Sequence, residues 1–136
     1  MKIGFACGVF DLFHAGHVLM LQECREHCDY LIVALNKAEH FDESINPGKH
    51  APVFTLEERV LIVSACKYVD EVLTYSGEEE LLVLLRGKKI GIRFLGEDYR
   101  NKPITGDDLP IELYYTSRSH GLSTSAYLRK IRSLKD

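Results

Sequence analysis

Long apolar stretches are missing from this 136-residue chain. No run approaches the roughly 20 residues of a membrane-spanning helix, so no membrane partner is expected. Met1-Lys2 leads straight into a strand-like segment, and no signal peptide is expected. Excess basic charge is missing too. Lys and Arg number 17 against 20 Asp and Glu, for a net charge of −3, and a chain without a broad basic surface is not built mainly for nucleic acid. Cysteine is sparse, and Cys7, Cys24, Cys28 and Cys66 show no small-scaffold spacing. They fall in predicted strands and helices and read as reduced thiols of a cytoplasmic protein. Cys24 and Cys28 share a helix face, where core packing is favoured over metal binding. Repeats, low-complexity tracts and linkers are absent, so one domain is expected over residues 1–136.

What is present alternates strand and helix. The pattern predicts strands at Ile3–Cys7, Tyr30–Leu35, Glu71–Thr74, Ile90–Leu95 and Ile111–Thr116. It predicts helices at Gly16–Cys28, from Thr55 to about Cys66, at Glu78–Arg86 and at Ser123–Ser133. Thr55-Leu56-Glu57-Glu58 is a capping box. YLIVAL at Tyr30–Leu35 is a continuous apolar run, as expected of a strand covered on both faces. Such alternation predicts an α/β fold, a three-layer, Rossmann-like, five-stranded parallel sheet with helices on both faces. Ligands bind such sheets at the carboxyl ends of the strands. The turns after strands one, two, four and five should therefore hold the site.

The first of those turns carries Gly8-Val9-Phe10-Asp11-Leu12-Phe13-His14-Ala15-Gly16-His17. A helix start offers free N–H groups and partial positive charge, a natural seat for phosphate. Imidazoles there can donate to phosphate oxygens. A zinc pair would need two further ligands, so no metal ligands are assigned. The last turn carries Ser117-Arg118-Ser119-His120-Gly121-Leu122-Ser123-Thr124-Ser125, with hydroxyls at a second helix start beside a guanidinium suited to phosphate. Leu95-Gly96-Glu97-Asp98-Tyr99 places acids and an aromatic at a strand end, where they could meet a base and ribose. The loop Asn46-Pro47-Gly48-Lys49-His50-Ala51-Pro52 holds one lysine. Asp11 could brace its turn or help hold Mg²⁺, and bracing is favoured. No spacing supports a role for His120 or His50, and His27 and His40 read as surface residues.

The first stretch resembles the G-x-F-D-x-x-H-x-G-H signature of the cytidylyltransferase-like nucleotidyltransferases, most closely the short glycerol-3-phosphate cytidylyltransferases. The last stretch resembles their R-T-x-G-I-S-T motif, with Ser119 for Thr and Leu122 for Ile. The resemblance implies transfer of CMP from CTP to a small phosphorylated acceptor such as glycerol 3-phosphate, with release of pyrophosphate. It implies His14, His17, Lys49 and Arg118 as catalytic. It implies Gly8, Val9, Phe10, Asp11, Gly16, Gly96, Asp98, Tyr99, Arg118, Gly121, Leu122, Ser123 and Thr124 as nucleotide-binding. Mg²⁺ with the NTP and a homodimer are further implications. Glu58-Arg59 fits the family's E-E-R segment, where the arginine would hold a loop in place. Two departures stand out: Tyr99 where the cytidylyl branch often has Trp, and Ala38 near a usually acidic position. Tyr99 keeps open an adenylyltransferase making an ADP-sugar or flavin nucleotide. Ala38 keeps open a nucleotide-binding module without turnover.

Overall fold

A computed structural model describes residues 1–39, 51–117 and 119–134. Five strands, β1 (Ile3–Gly8), β2 (Tyr30–Asn36), β3 (Glu71–Tyr75), β4 (Ile92–Gly96) and β5 (Glu112–Thr116), form one parallel sheet in the order β3-β2-β1-β4-β5. Helices α1 (Ala15–Glu26), α2 (Leu56–Ser64), α3 (Gly77–Gly87) and α4 (Thr124–Ser133) connect or follow them, and a single 3-10 turn spans Glu97–Tyr99. The expected fold class is the observed one. Element ends differ from the sequence expectation by at most two residues. The fourth strand starts at Ile92 rather than Ile90, and Gly91 N–H just ahead of it donates to Ile3 O (2.8 Å). α1 stops at Glu26, so Cys28 is buried beyond the helix rather than in it. No helix among the described residues is long and apolar enough to cross a membrane.

Alternation along the strands builds two cores. Ala6, Leu31, Val33, Leu35, Ile92 and Phe94 face α1 and α2, meeting Leu21, Cys24 and Val63. Phe5, Ile32 and Ala34 face α3, meeting Leu81 and Leu85. β1 and β2 are apolar on both sides for this reason. At Gly4 a Cβ would lie 2.7 Å from both Cys28 Sγ and the Phe94 ring, so only glycine lets those groups close over β1. Successive strands run outward from β1 to β3, and β4 then pairs with the other edge of β1. The order therefore reverses between β1 and β4, the place where sheets of this kind open a crevice at their carboxyl ends.

Candidate active site

A cleft of about 790 Å³ opens along that edge, within the size range of small-molecule sites. The β1–α1 turn forms one wall. Its tight geometry is not made by glycine: Phe10 (φ 53°) and Leu12 (φ 49°) adopt the left-handed region that costs an ordinary residue about 1–2 kcal/mol. Surrounding contacts hold them there. Phe10 is buried, and its ring lies 5.5 Å from that of His17. Asp11 accepts from the N–H groups of Val53 (2.8 Å) and Phe54 (2.9 Å), tying the turn to the segment ahead of α2. Arg59, 2% exposed, donates to carbonyls of Val9 (3.0 Å), Asn36 (2.7 Å), Lys37 (3.1 Å) and Phe54 (3.4 Å). One guanidinium thus joins three chain segments, matching the loop-holding role implied for it.

The helix start is closed by the two histidines themselves. His14 is the N-cap; its Nδ1 accepts from Gly16 N–H (2.9 Å), and His17 Nδ1 accepts from His14 N–H (3.1 Å). An Nδ1 that accepts carries no proton, so each neutral ring holds its hydrogen on Nε2. His14 Nε2 donates to Thr124 Oγ1 at 3.3 Å, and the two rings lie 4.1 Å apart. Burial, with help from the His14 charge, pulls His17 down to about 4, against a smaller opposing pull from Asp11. His14 is lowered as well, by burial and then by His120. Near neutral pH the pair is uncharged and presents N–H donors.

The opposite wall is the turn before α4. Gly121 takes φ 72°, a value that favours glycine, and lets the chain turn into the Ser123 N-cap, whose Oγ accepts from Ala126 N–H (3.1 Å). Glu23, on α1, anchors this turn by accepting from Ser117 N–H (3.1 and 3.2 Å) and from Tyr114 OH (2.8 Å). Two stretches more than 100 residues apart in sequence thus share one rim, His14 against Thr124 and Tyr127. Gly16 makes the approach possible, since a Cβ there would sit 2.7 Å from His14 Cε1 and 3.0 Å from Leu122 Cβ. Gly16→Ala should push the His14 ring off its cap. If His14 has the catalytic role that the family resemblance implies, turnover should drop about tenfold or more while the far-ultraviolet circular dichroism spectrum stays native, since misplacing such a group by an ångström costs that much.

Of the residues expected at the site, Gly8, Val9, Phe10, His14, Gly16, His17, Gly96, Tyr99, Leu122, Ser123 and Thr124 line the cleft. Asp11, Asp98 and Gly121 do not. Asp11 serves the backbone instead, the bracing role favoured above, although it braces residues 53 and 54 rather than its own turn. Lys49, Arg118, His40 and His50 lie outside the described residues. His120, for which no spacing supported a role, also lines the cleft, and its Nδ1 accepts from Leu122 N–H (2.9 Å). Sequence reasoning passed over Glu23, for which an acid mid-helix gives no local signal.

The chain is 37% identical over 133 residues to the bifunctional protein HldE of Wolinella succinogenes, a match covering 96% of this chain and 27% of that protein. Against HldE of Helicobacter pylori strain J99 the identity is 34% over 133 residues, covering 96% and 28%. The chain thus spans little more than a quarter of the curated relatives it matches. Among solved structures, a lipopolysaccharide core biosynthesis protein from Thermoplasma volcanium GSS1 superposes with a TM-score of 0.68 at 26% identity, covering 86% of this chain and 97% of that one. The cytidylyltransferase-like family model matches residues 5–130, a span that holds both helix starts facing the cleft and every strand but the first two residues of β1. With its parallel sheet, its histidine-capped first helix and the serine-capped last one, this chain is a nucleotidyltransferase-like domain and belongs to the cytidylyltransferase-like family.

Proposed function

We propose that this domain joins a nucleoside monophosphate to a small phosphorylated acceptor. A phosphate oxygen of the acceptor attacks the α-phosphorus of an NTP, the bond from the α-phosphorus to the bridging oxygen breaks, and pyrophosphate leaves. The observation that carries this reading is the juxtaposition of the His14–His17 cap with Ser123 and Thr124 across one cleft. An acceptor phosphate is ionised at neutral pH, so the protein's work is positioning and charge stabilisation. The Nε2–H groups of His14 and His17 donate to oxygens that gain charge between the α- and β-phosphorus, and the Ser123–Thr124 helix start holds the departing pyrophosphate. Lys49 and Arg118 are assigned the α-phosphate and the pyrophosphate by family resemblance alone.

Mg²⁺ fits as a companion of the NTP rather than as a resident ion. Among the described residues no group of three or more potential ligands gathers, and both Asp11 carboxylate oxygens are committed to backbone N–H groups.

CTP is the first choice of nucleotide, on the family resemblance. ATP is the second, on Tyr99 lining the cleft where the cytidylyl branch often has Trp. The Thermoplasma relative's place in lipopolysaccharide core biosynthesis supports a phosphorylated sugar or polyol as acceptor. The test is pyrophosphate release from CTP, ATP, GTP and UTP against a panel of sugar and polyol phosphates. Release above background with one nucleotide and at least one acceptor is expected. Tight NTP binding by calorimetry with no product from any acceptor would instead support a binding module.

A further inference from the structure

The far end of the cleft, beside α3, has no part in the chemistry above. It is built around Arg93, in the middle of β4. Ile92 and Phe94 belong to the core on the α1 side, so alternation turns Arg93 to the α3 side, where it is 4% exposed. Its Nη1 donates to Thr105 O, and the guanidinium is also hydrogen-bonded to the Cys7 thiol, which is hydrogen-bonded in turn to Tyr75. Arg93, Cys7, Tyr75, Thr105 and Glu78 all line the cleft. Glu78, from the first turn of α3, is the acid nearest this end, but it is exposed and takes the Thr105 hydroxyl rather than the guanidinium. Among the described residues no carboxylate lies within ion-pair distance of Arg93. Arg93 Nε is also the one buried side-chain nitrogen or oxygen there without a hydrogen-bond partner.

A buried guanidinium lacking a counter-charge is costly, as is a buried N–H without an acceptor. An oxyanion docked against the guanidinium would supply the missing counter-charge and an acceptor for Nε. We propose that Arg93 selects acceptors that carry a second acidic group, a carboxylate or second phosphate, remote from the phosphate that reacts. This rests on the nucleotidyl-transfer reading, with the reacting phosphate at the histidine end and the second group at the Arg93 end of one cleft. Neutral polyol phosphates are then the weaker acceptors, and the acidic ones are preferred.

Matched pairs test this directly. Binding of 3-phosphoglycerate against glycerol 3-phosphate, and of phosphoserine against phosphoethanolamine, reads the carboxylate. Fructose 1,6-bisphosphate against fructose 6-phosphate reads the second phosphate. Calorimetry on the full chain should show at least one acidic member binding about tenfold or more tightly than its partner, the scale of one charge-assisted bidentate contact. In Arg93→Met that ratio should fall to near one, and Arg93→Lys, which keeps charge but loses the fork, should retain only part of it. An Arg93 that merely held residue 105 in place would lower the Tm of both variants and leave the ratios alone. If no acidic member is preferred by the wild type, or if the preference survives in Arg93→Lys and in any folded Arg93→Met, the inference is overturned. Nucleotide binding and pyrophosphate release by the wild type, measured separately, decide the transfer reading itself.

Discussion

Replacing Arg59 with methionine should cost about 3–5 kcal/mol of stability, the range seen when a buried hydrogen-bonded charge is removed and its partners are stranded. Methionine fills a similar volume but donates nothing. The carbonyls of Val9, Asn36, Lys37 and Phe54 would each lose a donor in a place where Arg59 itself is almost wholly enclosed. For a chain of this length 1 kcal/mol corresponds to roughly 3–4 °C in Tm, so thermal unfolding should begin about 10–20 °C lower. Arg59→Lys should recover little, because one ammonium cannot span four carbonyls. Activity should fall further than the folded fraction does, since the three segments that Arg59 joins include the β1–α1 turn. A Tm within about 3 °C of wild type would show that these carbonyls find other donors.

The histidine pair should give the largest effect on rate. His14→Asn keeps a good N-cap, because asparagine also accepts from the start of a helix, but it removes the Nε2 donor. Its Tm should stay near the wild-type value while kcat falls about 10²–10³-fold, the usual loss when one preorganised donor to developing charge is removed. The pH profile separates neutral donors from cations. Protonating either ring means placing a hydrogen on Nδ1, which already accepts a backbone N–H. With His17 held down to about 4, its contribution to kcat/KM should be level from pH 8 to about 5.5 and fall below that, and the lowered His14 should move the profile in the same direction. A pair acting as cations would do the reverse, losing activity as pH rises through its pKa. Stability moves in the same sense as the neutral-donor profile. Between about 6.5, the unfolded value, and about 4, the folded value, the unfolded chain binds more protons. Stability is therefore full above that window and falls as pH drops through it. For a partly solvated ring this amounts to about 1–2 kcal/mol, readable as a falling Tm.

Much of this was visible in the sequence because it depends on local pattern. Apolar runs marked β1 and β2, the latter as a strand covered on both faces, the Thr55–Glu58 box marked the start of α2, and the histidine pair after a strand marked the cleft. What stayed hidden depends on partners distant in the chain. Asp11 finds its donors at residues 53 and 54, and Glu23 finds its own at residues 114 and 117. Left-handed Phe10 and Leu12 run against local preference, and only tertiary contacts hold them. Arg93 did leave a trace: a charge inside an apolar strand covered on both faces has no solvent side to turn to. His120 carried no comparable signal, since its role follows from how the last turn folds back over the first helix.

The reciprocal cap on α1 also bears on what the protein leaves alone. Each ring spends its basic nitrogen on a backbone N–H and keeps its hydrogen on Nε2, so on the proposed reading neither imidazole can accept a proton from an incoming hydroxyl. Glu78, at the other end, is the sole carboxylate lining the cleft among the described residues. Water and plain alcohols need such help to attack phosphorus, whereas an ionised phosphate needs none. On the proposed reading, a nucleotide waiting in this cleft would be shielded from wasteful hydrolysis through the placement of two hydrogens rather than through a lid.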